Sequence, residues 1–123
     1  MILIYIPLIL ITGLSFQCCE KDQDVTCFEF DQRQCAGDEW AEQVPLTDSK
    51  AEREDKMKEY LTSKNIKVLD VNLVINFHES VCEACFICPE QDRFFVKVAD
   101  EDAEIFEALD LLNSGKVNCG ENF

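Results

Sequence analysis

The stretch Ile66-Lys67-Val68-Leu69-Asp70-Val71-Asn72-Leu73-Val74-Ile75-Asn76-Phe77 carries the strongest strand signal in the chain. Leu69, Val71, Leu73, Ile75 and Phe77 fall on one face at the two-residue period of an extended backbone, while Asp70, Asn72 and Asn76 mark the other face as partly wet. Lys67 breaks the pattern at its start. The reading is a strand from Ile66 to Phe77 with one side turned to a core. Phe94 to Val98 returns as a second strand, and Val25 to Phe30 shows a weaker pattern of the same kind. Two strands alone are marginal in water, so Val25–Phe30 or Phe86-Ile87 is expected to join them.

Helices flank this pair. Ser49 followed three residues later by Glu52 is a capping box, which satisfies backbone donors left open at a helix start. Met57, Tyr60 and Leu61 form the apolar stripe of the helix that follows, surrounded by Arg53, Glu54, Asp55, Lys56, Lys58 and Glu59, with Asn65 as its stop. After the second strand, Asp100 is placed to cap a helix from Glu101 to Leu112 that buries Ile105, Phe106, Leu109 and Leu112. Glu101, Asp102 and Glu104 sit in its first turn, where negative charge is favoured, and Asn113-Ser114-Gly115 reads as its terminator. Between the early strand and the first helix, residues 36–45 are irregular around Trp40, which reads as core, and Pro45 marks a boundary. With both helices on one face of a short antiparallel sheet, the fold class is α+β, a small two-layer sandwich.

Composition narrows the partners. The 123 residues carry 25 acidic and 11 basic side chains, a formal net charge of -14. Nucleic acid is excluded as a partner, because phosphate binding needs a surface rich in Lys and Arg, and anionic headgroups repel such a chain. Residues 1–18 hold none of this charge. From Ile2 to Leu14 the run is apolar apart from Pro7, Thr12 and Gly13. That is too short for a membrane-crossing helix of roughly 20 residues and within the roughly 7–15 of a signal-peptide core. Residues 1–18 are therefore read as a cleaved signal peptide. No Lys or Arg precedes the apolar run, so the true start is expected to lie a few residues upstream of Met1.

Next comes Cys18-Cys19-Glu20-Lys21-Asp22-Gln23-Asp24. This resembles the processing site of bacterial lipoproteins, and the acidic run after the cysteine is similar to the surface-export signal of Bacteroidetes lipoproteins. The resemblance implies a diacylglycerol on the cysteine, cleavage just before it, and residence on the outer membrane at the cell surface. Cys19 is the better candidate, since it places the small Cys18 before the cut and leaves six other cysteines, an even number. Phe16 departs from the Leu, Ile or Val usual in that family. Residues 19–26 then form a lipidated tether and 27–123 a single domain. The alternative is a freely secreted domain in which Cys18 and Cys19 are half-cystines. The stretch Cys82 to Val98 is similar to small lipoproteins of the same bacterial group, a similarity that carries no activity with it.

The remaining cysteines carry the chemistry. Outside the cytoplasm, Cys27, Cys35, Cys82, Cys85, Cys88 and Cys119 make three possible bridges. Six cysteines permit fifteen connectivities, so the pairing stays open, with Cys27–Cys35 preferred on locality alone. His78, Cys82, Cys85 and Cys88 form His-x3-Cys-x2-Cys-x2-Cys, a spacing that zinc and iron–sulfur sites also use, although proline already follows the third cysteine. A redox-active Cys-x2-Cys pair is the further alternative. A lone His78 reads as a hydrogen-bonded surface residue. Ser63, Ser80 and Ser114 lack any nucleophile motif, and Asp22, Asp24 and the Glu101 cluster lack the glycine of an EF-type calcium loop. The expectation is a non-enzymatic module without a cofactor. It would be lipid-anchored to the membrane and bind an unknown protein, glycan or small molecule through the cysteine-rich loop from His78 to Asp92.

Overall fold

A computed structural model describes residues 24–123. The segment 1–18 expected to be a signal peptide, Cys19 and the expected tether as far as residue 23 lie outside the described residues, whereas Val25 and Thr26, assigned to the tether, already belong to the first strand. The elements are β1 (Val25–Arg33), α1 (Lys50–Ser63), β2 (Val68–Val74), β3 (Pro89–Ala99), α2 (Ala103–Glu107) and β4 (Leu112–Val117), with 3₁₀ turns at Gln34–Ala36 and Asp100–Asp102. One four-stranded sheet runs in the order β2-β3-β1-β4, and every neighbouring pair is antiparallel.

β3 lies inside the sheet because it is apolar on both sides: Phe94, Val96 and Val98 are buried on one face and Phe95 on the other. The first face is the core. Phe106 of α2 stacks on Phe28 with ring centroids 4.2 Å apart. Trp40 meets Phe30 and Phe94 edge-on at 6.1 and 5.8 Å, and Met57, Tyr60 and Leu61 of α1 close the same cluster. Both helices thus cover one face, and three disulfides staple the α+β domain. Fully burying one such side chain contributes roughly 1.5–3 kcal/mol, so this aromatic layer is the main source of stability.

α1 begins as its sequence predicts, with the Ser49 hydroxyl accepting from the Glu52 amide at 3.2 Å. At its end Asn65 takes φ 64°, which Asn tolerates better than most residues, and lets the Ile66 amide turn back to the Leu61 carbonyl at 3.3 Å. Trp40 is core, as expected.

Four expectations need correction. β2 is shorter than Ile66–Phe77, and its register slips between Val68 and Asp70. Leu69 is the extra residue of that bulge, so Val68 is buried in its place, and Ile75 and Phe77 lie beyond the strand and are exposed. The second helix stops at Glu107 instead of Leu112, keeping Phe106 buried but leaving Ile105 exposed. Asp100 does not cap it. Asp100 accepts from the Thr26 hydroxyl and Asp102 accepts from the Lys67 amide, so the acidic turn ties β1 to the approach of β2. Asn113-Ser114-Gly115, read as a terminator, is part of β4, with Asn113 at φ 54°. Of the two stretches expected to join the strand pair, Val25–Phe30 does so as β1, while Phe86-Ile87 lies in a turn.

Candidate functional site

The six candidate cysteines of the domain are all paired. Cys27 joins Cys119, Cys35 joins Cys85, and Cys82 joins Cys88. The local pairing Cys27–Cys35 is therefore wrong, for a geometric reason. Cys27 lies near the start of β1 and Cys35 in the turn past its end, and the extended residues between them rise about 3.3 Å each, which carries the pair far beyond the 7 Å that a bridge spans. In this oxidised state Cys82, Cys85 and Cys88 have no thiolate to offer a metal. Among the described residues no group of three or more His, Cys, Asp or Glu side chains is arranged to hold an ion.

Beyond the bridges, the end of β1 grips the loop with hydrogen bonds; the loop is shorter than the His78–Asp92 connection expected, because Pro89–Asp92 already forms the start of β3 beside β1. The Gln34 amide donates to the Cys88 carbonyl at 3.0 Å, and its side-chain Nε2 donates to the carbonyls of Cys82 and Pro89 at 2.7 and 2.9 Å. Arg33 Nε donates to the Phe86 carbonyl at 3.1 Å, while its remaining nitrogens bind Asp38 at 2.8 Å and Asp110 at 2.9 Å. Desolvation alone would lower the Arg33 pKa, but the two carboxylates outweigh it and raise it. Its charge is thus spent internally.

What this scaffold presents is apolar. Phe86 is 62% and Ile87 72% exposed, the two most exposed large hydrophobic residues described. Phe86 holds φ 71°, a conformation that bulky side chains rarely adopt, and its ring leans over Gly37. A Cβ at position 37 would stand 2.6 Å from the Phe86 ring, so glycine there is what lets the ring lie down.

Beneath the loop, on the sheet face away from the helices, lies a polar cluster centred on Asp31. It is fully buried. Arg93 donates to both its carboxylate oxygens at 2.8 Å, Asn113 Nδ2 donates at 2.9 Å, and His78 Nε2 stands 2.9 Å away. Burial by itself would raise the Asp31 pKa, yet the hydrogen bonds from Arg93, Asn113 and His78 prevail and hold it below the ordinary carboxylate value. Arg93 also pairs with Glu29 at 3.1 Å and lies over the Phe77 ring at 4.5 Å. His78 is thus a hydrogen-bonded residue, and its amide donates to the Gln91 carbonyl, fixing the start of the loop. The cluster is saturated with partners, which suits it to anchoring the loop on the sheet.

Of the residues weighed from sequence, Cys82, Cys85, Cys88 and His78 do share one loop, and Cys35 joins it by a bridge from the turn after β1. Cys27 and Cys119 lie apart, tying β1 to the segment after β4. Ser63 donates to the Tyr60 carbonyl, a local helix-end contact. Arg33, Gln34, Asp31, Arg93 and Asn113 were missed. The charge of Asp31 one step after core-facing Phe30 places it on the opposite face, but nothing local says that face is closed at this point. Among the described residues no helix is long and apolar enough to cross a membrane. Comparison with family models, with curated proteins and with solved structures finds no match for this chain.

Proposed function

We propose that the chain is a non-enzymatic cell-envelope module, held on the outer membrane by a lipid on Cys19, that binds a partner through Phe86 and Ile87. The observation that carries the docking part is a wet apolar pair on a loop locked by two disulfides. A rigid tip loses little conformational freedom on binding, which turns exposed apolar area into affinity, and a strained, over-determined backbone such as that of Phe86 clusters at sites of function. The lipid anchor rests on the Cys18-Cys19 motif and on charge, since a chain of net charge -14 needs acyl chains to stay at an anionic surface.

The test is photocrosslinking in cells that make the full chain. A photoreactive side chain at position 87 is expected to give one discrete adduct, lost when Phe86→Ser is added, while the same group at position 105 gives none. No adduct at 87, or an equal one at 105, overturns the docking reading. Intact mass of the membrane-extracted protein is expected to show acylated Cys19. An unmodified chain recovered from the medium would replace the anchor with secretion.

A further inference from the structure

Among the described residues seven non-glycine positions have positive φ, and four of them are asparagine, which tolerates that conformation. The other three gather at one bridge. Cys35 holds φ 60° and Ala36 φ 52° on one side of the Cys35–Cys85 disulfide, and Phe86, next to Cys85, holds φ 71° on the other. Such residues are strained there, and the strain persists only where the surroundings over-determine the backbone. The same bridge is the open one. Cys35 and Cys85 are both exposed, whereas each of the other bridges has a buried half, Cys27 in one and Cys88 in the other. Cys82 and Cys88 also stay neighbours without their bond, because they are only 6 residues apart and Gln34 donates to the carbonyls of both. Cys35 and Cys85, 50 residues apart, gain no such help from the chain between them. We infer that the Cys35–Cys85 disulfide is a thiol–disulfide exchange site, opened by the exposed dithiol of a redox protein while the other two bridges stay closed.

The exchange balances with the dithiol alone. One of its thiolates attacks an exposed sulfur, the S–S bond breaks, and the displaced cysteine leaves as a thiolate that takes up a proton. The second thiol then attacks the mixed disulfide, frees the other cysteine and closes the dithiol to its own disulfide. The bridge has gained two electrons and two protons, and the dithiol has lost them. Opening releases strain that only the closed form holds, so a strained, exposed bridge is easier to reduce than a relaxed and covered one. Once free, Cys35, Ala36 and Phe86 return to negative φ, and the Phe86 ring leaves its place over Gly37. The apolar tip then loses its fixed shape. That last consequence rests on the docking reading above, whereas the exchange chemistry does not and is read without a partner.

The probe is dithiothreitol at graded ratios to its oxidised form, acting on the oxidised full chain with Cys18→Ser and Cys19→Ser, followed by alkylation and peptide mapping by mass. Cys35 and Cys85 are expected to be alkylated at a ratio about tenfold below the one that opens either of the other bridges. Ala36→Gly removes strain from the closed form, so its bridge should need a ratio about threefold higher than the parent's. Exposure alone would give no such change. In NMR spectra the Phe86 ring and the Gly37 amide should move on opening, with the Phe30 and Phe94 rings unmoved. Opening of Cys82–Cys88 or Cys27–Cys119 at the same ratio overturns the inference. So does an Ala36→Gly chain that opens as readily as the parent, or a Phe86 ring that stays in place.

Discussion

The two faces of the sheet are held by different physics. On the helix-covered face, Phe28, Phe30, Phe94, Val96, Trp40 and Phe106 form a layer with few polar atoms, stabilised by area and tolerant of direction. On the opposite face, Glu29, Arg93 and Asn113 act as a set around the buried Asp31, because a buried carboxylate needs its particular partners. The first face makes the chain fold. The second fixes where the 78–88 loop sits, and the bridges then hold that position covalently.

Three substitutions sharpen the contrast, in descending order of effect. Phe30→Ala should cost about 4 kcal/mol, a large cavity in the aromatic layer, read as a fall in the urea midpoint of the oxidised chain. Asp31→Asn should cost about 2 kcal/mol, because the partly buried Arg93 loses its bidentate partner and keeps only Glu29. It should also change the acid limb of the stability curve. The folded Asp31 titrates below its unfolded value of 3.8, so its contribution is full above that pH and is lost as pH falls towards the depressed folded value. Urea titrations from pH 6 to 2 should therefore give a steeper acid loss for the parent than for Asp31→Asn, and equal slopes would break the argument. Gly37→Ala should have the smallest effect on stability, under about 1 kcal/mol if the Phe86 ring swings away from the new methyl. The displaced ring should show in the NMR shifts of Phe86, with the Phe30 and Phe94 rings unmoved.

The helix-covered face was largely legible in the chain, because periodicity reports burial directly. Leu73, Phe106, Met57, Tyr60 and Leu61 were all assigned to the interior from spacing alone, and they are there. Where the reading failed, a non-periodic event intervened. The bulge at Leu69 is invisible to a strict two-residue count, and Asn113-Ser114-Gly115 has the composition of a turn although its neighbours on β1 draw it into a strand. The cysteine pairing was closed to sequence altogether. It depends on β1 lying beside both β3 and β4, which brings residue 35 to residue 85 and residue 27 to residue 119 across long separations. The Asp31 cluster was hidden for the same reason: its members come from β1, β3, β4 and the loop, and only tertiary structure collects them.

The placement of β1 has a mechanical consequence. β1 begins at Val25, and the apolar tip is bonded just past the far end of the same strand through Cys35 and Cys85. Nine extended residues span roughly 30 Å, so the tip is carried well away from the start of that strand. A pull applied between them travels along one backbone and a single sulfur–sulfur link. Tension of that kind loads covalent bonds and leaves the hydrogen-bonded ladders and the aromatic layer almost unstressed, so the domain could transmit force from its tip without unravelling.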